Sequence, residues 1–320
     1  MMNKKTIFRA PFLVAMLFIG MVTSCKDFIE PSLEKRQVVL LAPADLYESD
    51  KYLMGFWWEQ VEDALYYRLQ IVSPDFNAPG SLITDTLIKG VNKFSLALDP
   101  ARYQWRVRAE NGSSHSAYTT AGFTIHESSI EQQKVMLSSP GNNYLSNQEV
   151  VQLKWNALFG ADQYRLQIDT ENFGDEAKMV YNGALSGLSY GFTFPKDGAF
   201  KWRVRAENAT VQSKWSDIFN MTFDSTPPGK VTAVAPANGL SVSKPVTLQW
   251  TAVSTARKYK LYVFKNDKTV YSAGFPVLVN GTTYSFNLGD AGEKIYWRVA
   301  ALDEAGNEGV LSDEMNFTIQ

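Results

Sequence analysis

Two tryptophans 47 residues apart recur three times along this chain, as Trp58 and Trp105, Trp155 and Trp202, Trp250 and Trp297. Successive pairs are offset by 97 and then 95 residues. Six residues after each first Trp stands Ala64, Ala161 or Ala256, and nine residues after it Tyr67, Tyr164 or Tyr259. Each segment opens at a proline, Pro43, Pro140 or Pro236. Self-similarity at a fixed period means one fold used repeatedly, and about 95 residues is enough for a small domain with its own core. The chain is therefore expected to carry three copies of one domain, over residues 38–126, 134–224 and 229–320.

Each copy reads as strands. Val151, Leu153 and Trp155 alternate with polar residues, as do Tyr164, Leu166 and Ile168, and Phe200, Trp202, Val204 and Ala206. Period 2 puts one set on a buried face and the other in water. No stretch after the N-terminus keeps a 3.6-residue apolar period. Short alternating strands separated by turn residues over about 90 positions argue for an all-β, antiparallel sandwich. A single cysteine in 320 residues leaves no disulfide within the chain, so each core must be held by apolar packing.

The second-Trp segments read YQWRVRAENG, FKWRVRAENA and IYWRVAALDEAGN. Together with W-x5-A-x2-Y-x-L-x-I, this pattern resembles fibronectin type III domains of bacterial surface proteins. The resemblance covers nearly all of residues 38–320. It implies three tandem fibronectin-III/immunoglobulin-like sandwiches in a rod, with the first Trp on strand B, the Tyr on strand C and the second Trp on strand F. The second copy also carries Ser213-Lys214-Trp215-Ser216, similar to that family's G-strand pattern; the first has Ser116-Ala117-Tyr118, and the third lacks the aromatic. The joints, residues 126–134 and 224–230, read as short and polar, with little interface expected between copies. A rod on the order of 100 Å follows from three domains of this size.

The first residues set the address. Lys4, Lys5 and Arg9 precede an apolar run from Phe12 to Val22, then Thr23-Ser24-Cys25. The run is about half of the ~20 residues a spanning helix needs, so it reads as a secretory signal over residues 1–24. Val22-Thr23-Ser24-Cys25 resembles the lipobox of bacterial lipoproteins, which implies acylation of Cys25 and a membrane-lipid partner. Residues 25–37 would then form a lipidated tether with a reach of about 40 Å. Removing residues 1–24 leaves 28 bases against 33 acids, a net charge of −5. A mildly acidic chain without a basic block offers no electrostatic footprint for nucleic acid. The expected location is the outer membrane, at the cell surface of a Gram-negative bacterium.

No catalytic set emerges, and no cofactor is expected. His115 falls in a turn and His126 in a joint, without Cys, Asp or His at metal-ligand spacing. Gly187-Leu188-Ser189-Tyr190-Gly191 matches a nucleophile elbow formally, but that motif needs a strand-to-helix turn and a His partner, so it reads as a turn entering a strand. Asp169, Glu171, Asp175 and Glu176 read as a charged, solvated loop, and Asp303 to Asn307 as a hairpin turn. Arg203 and Arg205 alternate with Trp202 and Val204 and so point outward, where they are expected to stack on Trp215 as a structural ladder. In the third copy Tyr262 and Tyr296 stand where the others have Gln70, Gln167, Gln104 and Lys201. With Arg298 on the same face, they form the candidate binding patch, exposed and adjacent. The resulting expectation is a non-enzymatic adhesion, scaffold or protein-interaction lipoprotein. The alternative is a glycan-binding accessory lipoprotein of a nutrient-uptake system. Its partner would be an unidentified surface protein or a glycan.

Overall fold

The computed structural model describes residues 30–320. Cys25, the lipobox and the apolar run lie outside the described residues, and among those described no helix is long and apolar enough to cross a membrane. The chain forms strands throughout, eight to a copy. The first copy contains β1 (Leu40–Ala42), β2 (Tyr47–Ser49), β3 (Leu53–Trp58), β4 (Tyr66–Ser73), β5 (Ser81–Lys89), β6 (Lys93–Ala97), β7 (Ala101–Glu110) and β8 (Thr119–Ile125). The second contains β9 (Leu137–Ser139), β10 (Tyr144–Ser146), β11 (Val150–Trp155), β12 (Gln163–Asp169), β13 (Tyr181–Leu185), β14 (Ser189–Thr193), β15 (Gly198–Glu207) and β16 (Phe219–Phe223). The third contains β17 (Ala233–Ala235), β18 (Leu240–Val242), β19 (Val246–Trp250), β20 (Lys258–Phe264), β21 (Val277–Val279), β22 (Thr283–Phe286), β23 (Lys294–Leu302) and β24 (Met315–Ile319).

All three copies are wired alike. A three-stranded sheet, ordered β1-β3-β6, faces a five-stranded sheet, ordered β2-β8-β7-β4-β5, and the other copies repeat both orders. The pairings are antiparallel except β2 on β8 and its two counterparts, which run parallel. The first strand of each copy ends at a proline, which cannot donate to a ladder; the chain then crosses to the other sheet.

Alternation explains which face closes the core. In β7 every second residue from Tyr103 to Ala109 is buried, and β15 and β23 repeat the pattern. Trp155 on β11 and Trp202 on β15 are both buried, one from each sheet. The nine-residue spacing from Trp to Tyr has a local cause. Tyr67, Tyr164 and Tyr259 lie against Trp58, Trp155 and Trp250, with ring centroids 5.4, 6.0 and 5.7 Å apart. Each tyrosine hydroxyl accepts the backbone N–H of Val61, Leu158 or Val253, at 2.8, 2.9 and 3.0 Å. One side chain thus fills the core and satisfies a loop donor.

Two expectations about the connections change. The tether is docked from Glu30 onward. Leu33 is fully buried in the first core, its N–H donates to Ser114 Oγ at 2.9 Å, and Asn111 Nδ2 donates to the Pro31 carbonyl at 2.8 Å. The Glu30 carboxylate accepts the N–H of Gly112. Leu33 is the one apolar residue between Ser32 and Gln37, and it has core to gain by folding back.

The first joint is packed rather than loosely polar. Ile130 opens a single 3-10 turn (Ile130–Gln132) and is buried, and Gln133 is buried beside it. Gln133 Oε1 accepts the Tyr52 N–H at 2.9 Å, while its Nε2 donates to the Asp50 carbonyl and to Ser128 Oγ at 2.6 and 2.7 Å. Tyr52 meets Phe159 of the second copy edge-on, centroids 6.1 Å apart. The first two cores consequently run together into one apolar cluster, whereas the third is separate. Polar contacts span the second joint. Asn307 Nδ2 donates to the Asp224 carbonyl at 2.7 Å, and Asp197 accepts from Ser225 and Thr226.

Candidate interaction surfaces

The outer face of the five-stranded sheet is built from the residues of β4, β7 and their counterparts that alternation turns away from the core. In the second copy Arg203 lies between two rings, its guanidinium carbon 4.2 Å from the centroids of both Phe173 and Trp215. Arg205 sits over the same indole, 4.7 Å from its centroid. Gln167 Oε1, on the neighbouring strand, accepts from Arg203 Nε and Nη2 at 2.9 and 2.8 Å. Burial and then the like charge of Arg205 lower the pKa of Arg203, so the ring faces and the Gln carbonyl supply the compensating electron density. Arg205 and Arg165 both bond Glu207, at 2.9 and 2.7 Å. Burial pushes the Glu207 carboxyl upward, but the bonds from the two arginines outweigh it and hold the group below its ordinary value.

Serines fix the aromatic of this ladder. Before β16 begins, Ser213 Oγ accepts the Ala206 N–H at 2.9 Å and Ser216 Oγ accepts the Val204 N–H at 3.0 Å. These bridges carry the ladder past Trp215 and leave its ring flat on the arginines. Asp169 fixes the other ring. It is buried rather than solvated, and its carboxylate accepts the N–H groups of Thr170 and Phe173 at 2.8 and 2.6 Å. The first copy repeats the arrangement, with Arg106 between Phe76 and Tyr118 at 4.0 and 4.3 Å and Arg106 Nε on Gln70 Oε1 at 2.8 Å.

In the third copy the same face is dismantled. Counting from each first Trp, Phe76 and Phe173 become Lys268, and Gln70 and Gln167 become Tyr262. On the equivalent strands Tyr118 and Trp215 become Leu311, and Arg108 and Arg205 become Ala300. Only the central arginine is kept, as Arg298. Its Nε is buried with no hydrogen-bond partner, and its Nη2 lies 3.6 Å from Glu314. Register sets Tyr262 opposite Arg298 and Phe264 opposite Tyr296. The two tyrosines are therefore diagonal rather than paired, and both are half-buried rather than fully exposed. Tyr262 stacks parallel to Phe264, with 8° between the ring planes and 6.5 Å between centroids, and its hydroxyl bonds Glu308 at 2.6 Å. Lys268 covers the Tyr296 ring at 3.2 Å and bonds Glu314 at 2.6 Å. Phe264, Lys268, Arg298, Leu311 and Glu314 line a groove of about 320 Å³.

Sequence reading named Tyr262, Tyr296 and Arg298 but missed Phe264 and the two loop phenylalanines. It also missed Trp57, which is 53% exposed on the outer face of the three-stranded sheet. The signal was available, because the equivalent positions are Lys154 and Gln249. The remaining candidates are structural. His126 approaches Glu48 at 3.4 Å, Ser189 begins β14, and Asp303 Oδ1 accepts the Asn307 N–H at 2.8 Å. Among the described residues no group of three or more His, Cys, Asp or Glu gathers where it could hold a metal.

Strand order and alternation together decide the fold. Each copy is a fibronectin-III-like sandwich. No family model matches the chain, and no curated protein matches it. Among solved structures, the chicken CNTN1 FN1-FN3 domains are similar at 14% identity and a TM-score of 0.46, over 88% of this chain and 97% of that one. The fibronectin(III)-like modules of Clostridium thermocellum CbhA are similar at 11% identity and a TM-score of 0.39, over 58% and 94% of the two chains.

Proposed function

We propose that this chain is a non-enzymatic cell-envelope lipoprotein, anchored through acylated Cys25 at the outer membrane, that presents fibronectin-III-like modules for adhesion or scaffolding. The observation carrying this reading is the contrast between copies. Two modules close their outer face with a cation–π ladder, and the third opens it into a groove that mixes aromatic, aliphatic and charged groups around Arg298. Interfaces that bind proteins favour such mixtures of Tyr, Phe and Arg. Replacing Tyr262 and Tyr296 together by Ser should abolish capture of the partner from envelope fractions while the melting temperature stays within a few degrees. Capture by the double variant equal to that of the parent would place the contact elsewhere.

The partly exposed rings of Tyr262, Phe264 and Tyr296 on one sheet face favour a second reading, a surface glycan-binding accessory protein, because aromatic faces stack on sugar rings. A glycan pull-down with the same double variant separates the two readings.

A further inference from the structure

The three-stranded sheet of the first copy is incomplete along one side. Strand β1 pairs with β3 only at Trp57 and Trp58, so no strand lies beside Leu53–Phe56 on that side. Backbone parity identifies the open groups. The Tyr52 carbonyl accepts the Leu98 N–H at 2.8 Å, and the Trp58 N–H donates to Asn92 at 3.2 Å, so the even-numbered residues of β3 face β6. On the opposite side Glu59 N–H reaches the Val39 carbonyl at 2.9 Å. The N–H and C=O groups of Leu53 and Gly55 therefore point away from β6, where no ladder receives them. Strand β2 is likewise an edge, paired only with β8.

Between these two edges runs a cleft of about 420 Å³, lined by Leu41, Pro43, Tyr47, Lys51, Leu53 and Gly55 among others. Its walls are apolar and partly exposed, and Trp57 stands beside Gly55 on the same face of β3. A Cβ on Gly55 would meet nothing within 4 Å, so the floor of the cleft is open. The other copies have Gln152 and Thr247 at this position, Lys154 and Gln249 in place of Trp57, and Ser138 and Val234 in place of Leu41. Lys51 is the only charged residue lining the cleft, and it has no ion-pair partner among the described residues.

We propose that the first sandwich takes up an extended segment of another protein by strand addition, seated between β2 and β3 with a small side chain over Gly55 and a carboxylate reaching Lys51. Open backbone edges select an extended peptide, because each of its amides replaces a hydrogen bond that water otherwise supplies. The apolar walls select its side chains, and the lone lysine fixes its direction by charge. This site is independent of the groove on the third copy.

The probe is a dye-labelled octapeptide of alternating valine and threonine with one central alanine and a C-terminal aspartate, titrated against the full chain in detergent. Saturable binding is expected, with slowed amide exchange at Leu53 and Gly55. Leu53→Pro should weaken binding by at least about tenfold, since it removes a donor the bound strand needs. That variant keeps its fold, because the lost N–H has no partner in the free protein and Leu53 is the first residue of β3, where a strand tolerates proline. Gly55→Gln, which installs the residue of the second copy, should weaken binding through its side chain alone. Absence of binding, binding without protection at Leu53 and Gly55, or full affinity in Leu53→Pro each overturns the proposal. So does self-association of the chain through this edge, or a Trp57-dependent glycan that Leu53→Pro leaves bound.

Discussion

At the scale of single residues, polar side chains do as much to define the outer faces as tryptophans do to define the cores. Glu207 is the sharpest case, with a side chain only 6% exposed and two arginines on its carboxylate. Its folded pKa is depressed, so its contribution is complete above the ordinary carboxylate range and is lost as pH falls through the lower folded value. Glu207→Gln should cost the second sandwich about 2 kcal/mol at pH 7. The gap between the urea midpoints of parent and variant should narrow as pH falls below the ordinary carboxylate range; a gap that does not change with pH would assign the loss to packing instead of charge. Arg203 and Arg205 were legible in the sequence because strand alternation says which way they point, and Trp215 because Ser213-Lys214-Trp215-Ser216 resembles a G-strand pattern. Phe76 and Phe173 were not, because they enter from loops, where no period fixes a direction. Their common offset from the first Trp marks them, as does the lysine that replaces them at Lys268.

At the scale of elements, the strands followed from alternation, while the connections did not. Residues 126–134 are mostly polar in composition, yet one buried glutamine makes that segment part of the architecture. Composition counts a Gln as a surface residue; it does not register that its amide can satisfy both the Tyr52 N–H and the Asp50 carbonyl. Gln133→Ala leaves those groups without their partner, at a cost of about 1–3 kcal/mol. Calorimetry of the parent should give one transition for the first two sandwiches and another for the third, in keeping with one shared and one separate core. In Gln133→Ala the first transition should split. Three independent transitions in the parent would mean that the packed joint does not couple the two folds.

At the scale of the whole molecule, repetition supplied the fold and divergence supplied the sites. Both surfaces offered for binding are places where one copy breaks a rule that the others keep, the ladder around Arg298 and the floor at Gly55. Anchorage belongs to this scale as well. Cys25→Ala should leave an unprocessed chain that stays in the aqueous phase after detergent partitioning, whereas the parent enters the detergent phase; a variant that still enters it would remove Cys25 as the attachment point. Docking of Glu30 against the tip of the first sandwich has a geometric corollary for that anchorage. Only residues 26–29 separate Cys25 from the docked segment, and five peptide steps span at most about 18 Å. On the proposed anchorage through Cys25, that reach would hold the first sandwich in a thin layer above the bilayer. Within that layer the β2–β3 cleft would meet the exposed segments of neighbouring membrane proteins at a high effective concentration, so that even a weak strand-on-strand contact could stay occupied.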